Sequence, residues 1–165
     1  MRIRNTIITA CTILCMGVTS MATAEHYVDQ YNVVWTIQSK HAGESMPVSG
    51  GDIGLNVWVE NNELLVYMGK TGCRDENGAQ LKPGRLRIKI TPNPFQNATF
   101  RQELILRDGY VLVTAEHPDG NSLTIKTWIE VHRPIAHLDV SSDKPVNVEA
   151  TYESWRTEDI ELPCD

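Results

Sequence analysis

The stretch Arg85-Leu-Arg-Ile-Lys-Ile90 alternates strictly between charged and aliphatic residues. Successive side chains of a β-strand point to opposite faces of a sheet, so the three aliphatic side chains are predicted to face a core and the three cations to face solvent. Alternation by itself requires an outward polar row, and the cations are therefore interpreted as a solvated face rather than a binding patch. The stretch predicts a half-buried strand of an antiparallel sheet.

The same pattern recurs along the chain from Tyr31, with β-branched and aromatic residues alternating against polar ones and with no helical periodicity. Turn residues separate the segments, and Asn61-Asn62 is typical of a tight hairpin. About nine strands without crossover helices predict an all-β fold, an antiparallel β-sandwich. The predicted strands cover residues 31–37, 52–60, 63–68, 85–90, 100–106, 110–117, 122–132, 137–141 and 146–152.

Length and composition indicate one folded domain. The chain has 165 residues, of which 41% are hydrophobic and 22% charged, and its formal net charge is -6. An acidic chain of this kind gives no electrostatic reason to expect nucleic acid or an anionic membrane surface as a partner.

The first 24 residues have the organisation of a secretory signal peptide. Arg2 and Arg4 precede an apolar run, and Ala22-Thr23-Ala24 forms a small-residue cleavage site before Glu25. We therefore expect export to the periplasm or the exterior, with residues 25–160 forming the sandwich and residues 161–165 a tail that begins a truncated connection. No later stretch reaches the roughly 18 apolar residues of a membrane span, so no membrane contact is expected after cleavage.

Two cysteines, Cys73 and Cys164, remain after the signal peptide. Export permits a disulfide between them, but two unpaired thiols are an equally good interpretation because two cysteines specify little. The sequence contains no motif with metal-ligand spacing, and neither a metal nor a cofactor is predicted.

The most unusual local sequence places three glycines within residues 50–54. Gly50, Gly51 and Asp52 are candidate ligand contacts, since glycine lets a backbone approach a ligand closely. The alternative, which the residue chemistry favours, is a tight turn that needs positive φ. A phosphate-binding loop is excluded because no Lys-Ser/Thr pair and no helix follow the glycines.

The tryptophans offer flat apolar faces on which a sugar can stack. Trp58 shares its strand face with Asn56 and Glu60, so it is predicted to point outward and is the best exposed candidate. Trp128 is predicted on the face opposite the apolar row of its strand, without Lys126 beside it. Burial in a core or interface is the alternative that we favour for these side chains, because large aromatic residues are mostly buried.

No residue is assigned a catalytic role. Glu60 and Glu63 form a candidate carboxylate pair, but they flank a predicted hairpin turn, where acidic residues are usually solvated. His117 and His132 are predicted to end adjacent strands and so to be able to meet, yet two histidines without a third ligand rarely hold a metal.

Several of these segments resemble a known family. Met46-Pro47, the glycine-rich turn and the strand after it, and Asn62-Glu63-Leu64-Leu65 resemble the opening of the N-terminal super-sandwich domains of the glycoside hydrolase clan that includes α-L-fucosidases and maltose phosphorylases. The chain departs from that pattern, with Ser-Gly-Gly-Asp where Gly-Asn-Gly is usual and without the acidic Leu-Asn-Glu segment.

A second resemblance is closer. Trp35, the glycine-rich run, residues 101–104 and Tyr152-Glu153-Ser154-Trp155-Arg156 resemble a bacterial β-sandwich family known only as a domain of unknown function, over most of residues 31–160.

In the glycoside hydrolase clan the catalytic groups belong to an (α/α)₆ barrel C-terminal to the sandwich. The resemblance therefore implies a non-catalytic domain that supports a carbohydrate-active barrel absent from this chain, with the turn at residues 50–54 lent to the sugar site. The clan's sandwiches usually have more strands, so an incomplete sandwich is expected. The alternatives are a free-standing carbohydrate-binding module and a periplasmic interaction or scaffold domain.

Overall fold

The computed structural model describes residues 26–154, which form ten strands and two short 3₁₀ helices, Tyr27–Tyr31 and Ala42–Glu44. All neighbouring strands pair antiparallel, in two five-stranded sheets. The strands are β1 (Val33–Trp35), β2 (Met46–Gly50), β3 (Ile53–Glu60), β4 (Glu63–Lys70), β5 (Gly84–Thr91), β6 (Thr99–Ile105), β7 (Tyr110–Glu116), β8 (Ser122–Ile129), β9 (Ala136–Ser142) and β10 (Asn147–Glu153). The predicted all-β fold is confirmed.

Sheet A has the strand order β1-β6-β7-β8-β9, and sheet B has the order β10-β5-β4-β3-β2. Alternating apolar residues of both sheets meet in one core, which includes Val57, Leu64, Ile88, Val113 and Ile125. β2 lies against β7 and β8. This packing of two sheets through their inner faces is a β-sandwich.

The hairpin between β3 and β4 has the predicted turn. Asn61 and Asn62 have φ values of 52° and 63°, the left-handed conformation that two-residue hairpins require and that Asn tolerates. The turn sets the register that pairs Glu60 with Glu63 and Trp58 with Leu65.

β2 was not predicted as a strand. Met46 and Val48 alternate into the core as in any strand, but Pro47 and the glycines made the segment look like a turn. Pro47 is tolerated because β2 is the edge strand of the described sheet B, so that one side of its backbone pairs with no other described strand.

The strand that contains Trp128 ends earlier than expected, at Ile129 instead of residue 132. Glu130 N–H donates to Ile135 O and closes a loop around Pro134. Within residues 26–154, no helix is long and apolar enough to cross a bilayer.

The end of the sandwich that carries the turn after β2, at residues 51–52, is called the glycine end. Antiparallel pairing brings the β6–β7 and β8–β9 turns to the same end of sheet A. The loops after β5, β7 and β9 lie at the opposite end, which is called the proline end after Pro92, Pro94 and Pro145.

Candidate functional site

The outer face of sheet A carries a row of three rings near the glycine end. Tyr110 on β7, Trp128 on β8 and His137 on β9 are direct cross-strand neighbours. The next row contains Leu112, Lys126 and Asp139 in the same order of strands. Lys126 therefore shares the face of Trp128, contrary to the prediction, because residues two apart in a strand point the same way.

Trp128 is held from two sides. The His137 ring stacks on the indole, with ring centroids 4.1 Å apart and planes at 7°. The indole Nε1–H donates to Asp139 Oδ2 at 3.0 Å. A stack and a hydrogen bond together fix the orientation of the indole plane, so the side chain loses little further freedom when a ligand binds.

His137 is itself anchored through Glu130. The imidazole Nε2 lies 2.8 Å from Glu130 Oε1, and Arg133 Nη2 donates to the same oxygen at 2.7 Å. Hydrogen bonds from Arg133 and His137 hold the pKa of the Glu130 carboxyl below its ordinary value, so the carboxylate is charged at neutral pH. Glu130 therefore holds the His137 ring that stacks on Trp128, and Arg133 in turn holds Glu130.

An open cavity of about 330 Å³ lies on this face. Since His137 is not among its lining residues, the cavity lies against the part of the indole that the histidine does not cover. Lys126 Nζ sits 4.3 Å above the centre of the Tyr110 ring, which places a cation at the cavity wall. The lining consists of Asp108, Gly109, Tyr110, Lys126, Trp128 and Ile129, and we call this site the Trp128 groove.

The Trp128 groove combines aromatic rings with charged groups of both signs. Aromatic faces accept the C–H faces of a ring-shaped ligand, while Asp108 and Lys126 supply an acceptor and a donor for hydroxyl groups. The volume of the groove lies within the range of small-ligand pockets, and its lining is more polar than that of most.

A larger cavity of about 450 Å³ lies at the proline end. The polar groups around it tie the loops to one another: His117 Nε2 lies 3.0 Å from Pro94 O, and Ser122 N–H donates to Asp143 Oδ2 at 2.7 Å. Much of the lining is apolar, including three prolines. Because its polar side chains form hydrogen bonds that connect the loops, we interpret this cavity as the open end of the core between the two sheets.

The glycines predicted as ligand contacts have a structural explanation. A Cβ on Gly50 would lie 3.0 Å from the carbonyl oxygens of Ile129 and Glu130, and Gly51 has φ 58° with Val131 O at 3.1 Å from a Cβ. The turn therefore packs directly on the end of β8, which favours the interpretation as a tight turn. Asp52 accepts from Thr71 N–H through its backbone oxygen, and its carboxylate lies 3.9 Å from Lys70 Nζ.

Trp58 lies on the outer face of sheet B, as predicted, and is not part of the core cluster between the sheets. Its predicted exposure is wrong: only 1% of its surface is exposed. The indole packs on Tyr67 with ring centroids 4.8 Å apart, and Nε1–H donates to Glu60 Oε2 at 2.8 Å. A side chain this buried offers no platform for a ligand.

The candidate carboxylate pair is engaged elsewhere. Glu60 accepts from Trp58, and Glu63 forms ion pairs with Arg87 and with Lys89, the latter at 3.5 Å. Arg85 and Arg87 also bind Glu153, with Arg87 Nε 2.5 Å from its Oε1. The cationic row of β5 is therefore an ion-paired network, rather than the freely solvated face predicted from alternation.

The two histidines do not meet. His117 follows β7 at the proline end, whereas His132 follows β8 at the glycine end, because paired antiparallel strands end at opposite edges. Within residues 26–154, no group of three His, Cys, Asp or Glu side chains is placed to hold a metal ion. Cys164 lies outside the described residues, so the pairing of Cys73 with Cys164 stays a prediction, as do the signal peptide and the tail.

Sequence reasoning missed Tyr110, Lys126, His137 and Asp139 as members of a site. The signal was present: each lies at an outward position of a predicted strand, and the two hairpin-like connections imply that these strands are neighbours. Only the register, which depends on exact turn lengths, brings them into two adjacent rows.

A comparison with curated proteins finds no match. A family described as a domain of unknown function (DUF5703) matches residues 34–164, which include every described strand except the first residue of β1. The chain therefore belongs to the DUF5703 family, as its N-terminal domain type, DUF5703_N.

Proposed function

We propose that this sandwich is a non-catalytic carbohydrate-binding domain of an exported protein, with the sugar seated in the Trp128 groove. The observation that carries the proposal is the Trp128 indole, which is immobilised by His137 and Asp139 and forms a wall of an open cavity. Sugar rings present apolar C–H faces and polar edges, and an indole beside charged groups complements both.

The Trp128 indole is anchored and also open to a cavity, and this combination supports binding rather than core packing. Trp58 also packs on a ring and donates to a carboxylate, but it is almost fully buried. Trp128 is backed by His137, Glu130 and Arg133 in series and still lines an open cavity. Preorganisation of this kind lowers the entropic cost of binding.

The resemblance to the sandwich domains of the α-L-fucosidase and maltose phosphorylase clan supports the same ligand class. The same resemblance supports a second candidate function, that of a domain that supports a neighbouring (α/α)₆ barrel. The place of Asp52 favours this second role, because its turn packs on β8 next to Glu130 and reaches the end of the sandwich where the Trp128 groove lies.

Affinity electrophoresis and calorimetry with a panel of soluble polysaccharides and oligosaccharides test the first candidate. Trp128→Ala is expected to weaken binding at least about tenfold, as removal of an aromatic anchor does. His137→Ala retains the indole but removes its support, and an intermediate loss is expected. Ile37→Ala is the control, since it removes a highly exposed apolar side chain that lies outside the described strands.

Binding that Trp128→Ala leaves unchanged would place the sugar elsewhere, and failure of the folded domain to bind any saccharide would refute the first candidate. Circular dichroism of each variant shows whether a loss reflects the site or the fold. For the supporting role, Asp52→Ala should leave binding by the isolated domain unchanged.

A further inference from the structure

The four edge strands of the described sheets differ in how they are protected. Edge strands carry unpaired backbone N–H and C=O groups, and proteins usually block them. β2 carries Pro47, β1 has three residues, and most residues of β9 are half-buried. β10 has seven residues, six of them exposed, and contains neither proline nor lysine.

β10 also exposes apolar side chains that point toward the inner face of the sandwich. Val148 pairs with Ile90 and Tyr152 with Leu86, both inward-facing residues of β5, yet Val148 is 42% and Tyr152 56% exposed. Sheet B therefore extends beyond the part of sheet A that would cover it. In the described part of the chain, no strand pairs with the free edge of β10.

We propose that β10 pairs antiparallel with β10 of a second copy of this chain, about a two-fold axis that passes between the two Ala150 residues. In this register all seven residues pair, and Val148 of one copy faces Tyr152 of the other. Glu149 faces Thr151, and Glu153 faces Asn147, so no carboxylate lies opposite another. Aromatic and β-branched residues in opposite positions stabilise a strand pair.

The charges select this register. The neighbouring registers that also continue the inner face from one copy to the other are centred on Glu149 or on Thr151. The first places the two Glu149 carboxylates opposite each other, and the second places Glu149 opposite Glu153 twice. Like charges directly opposite are unfavourable in a sheet, and both registers pair only five residues.

Thr151 offers a test of the pairing and of its register. Thr151 lies at the exposed outer face opposite Arg87 of its own chain, and in the proposed dimer it also faces Glu149 of the second copy. Thr151→Glu creates two like-charge pairs per dimer, while Thr151→Lys creates two opposite-charge pairs. Ser141→Glu is the matched control, because it adds the same charge at an exposed position of β9, the edge strand of sheet A.

Sedimentation velocity over a range of protein concentrations measures the association. We expect a concentration-dependent dimer for the unmodified chain, a dissociation constant about tenfold higher for Thr151→Glu, and a lower one for Thr151→Lys. Ser141→Glu should match the unmodified chain. Saccharide binding by the monomer should be the same in the unmodified chain and in both Thr151 variants, because the Trp128 groove lies on sheet A and Thr151 lies on sheet B.

A chain that stays monomeric up to about millimolar concentration, well above the micromolar range of weak specific contacts, would overturn the proposal. An equal weakening by Thr151→Glu and Thr151→Lys, or by Ser141→Glu, would overturn it as well. Circular dichroism checks folding, and the expected gain for Thr151→Lys cannot arise from misfolding. The test is independent of the sugar proposal, since either can fail while the other stands.

Discussion

Gln102 provides a sharp test of the core. Its side chain is 0% exposed, and its Nε2 donates to the Val57 carbonyl oxygen at 3.1 Å, so that β6 of sheet A is joined to β3 of sheet B. The other amide atom, Oε1, is buried without a hydrogen-bond partner among the described residues. The amide is therefore half-satisfied in a largely apolar core, where the Thr127 hydroxyl is also buried without a partner among the described residues.

Gln102→Met replaces the amide by an unbranched apolar chain of similar length. The substitution removes one hydrogen bond, which contributes about 1 kcal/mol, but it also removes an unsatisfied buried oxygen that costs about 1–3 kcal/mol. The balance predicts that the free energy of unfolding stays the same or rises by up to about 2 kcal/mol. Gln102→Ala, which leaves a cavity between the sheets, should instead lower it by about 2–4 kcal/mol.

Urea denaturation followed by tryptophan fluorescence measures both changes, provided that the unfolding is two-state. A loss of more than about 2 kcal/mol in Gln102→Met would refute the reasoning, since it would mean that the bridge between the sheets contributes more than an ordinary hydrogen bond.

Two further predictions concern the glycine end and the cationic row. Gly50→Ala should destabilise the fold by about 1–3 kcal/mol, because the new Cβ would meet the backbone at the end of β8. Gly54→Ala should be neutral, because no atom lies within 4 Å of its new Cβ, and equal urea midpoints for the two variants would contradict this prediction. Hydrogen bonds from Arg87 and, to a smaller extent, Arg85 lower the pKa of the Glu153 carboxyl. The ionised Glu153 should therefore stabilise the fold fully above the unfolded pKa of about 4.3, and this stabilisation should be lost as the pH falls through the lower folded pKa. Arg87→Gln should raise that pKa in a carboxyl ¹³C NMR titration, and an unchanged value would rule out the role given to Arg87.

The strands were predictable where alternation and turn chemistry agree. Residues 85–90 and the Asn61-Asn62 hairpin are formed as expected, since each depends on local preferences that the tertiary structure reinforces. β2 was missed because Pro47 and Gly50 are turn residues in isolation and are acceptable in a strand only at a sheet edge. That β2 is an edge strand is a property of the whole sheet, which local sequence does not reveal.

The candidate site was less predictable, and the two tryptophans show why. Trp58 and Trp128 both occupy outward positions in strands, and alternation places each on the correct face. Their exposure differs because Trp58 packs on Tyr67 and is almost fully buried, whereas Trp128 lines an open cavity. Alternation determines the face of a side chain, but what covers that face depends on residues distant in the sequence.

The two surfaces proposed here lie on different sheets, and this separation has a consequence for binding. The Trp128 groove uses the outer face of sheet A, while β10 is the free edge of sheet B, so pairing through β10 leaves the groove open. In the dimer the two B sheets would form one continuous sheet, and the two grooves on the A sheets packed against it would be held apart without a flexible linker. Rigid coupling raises the apparent affinity for a long polysaccharide that reaches both grooves, and leaves the affinity for a short oligosaccharide unchanged. The chemistry of one groove and the spacing between two would then together determine which sugar polymers are retained.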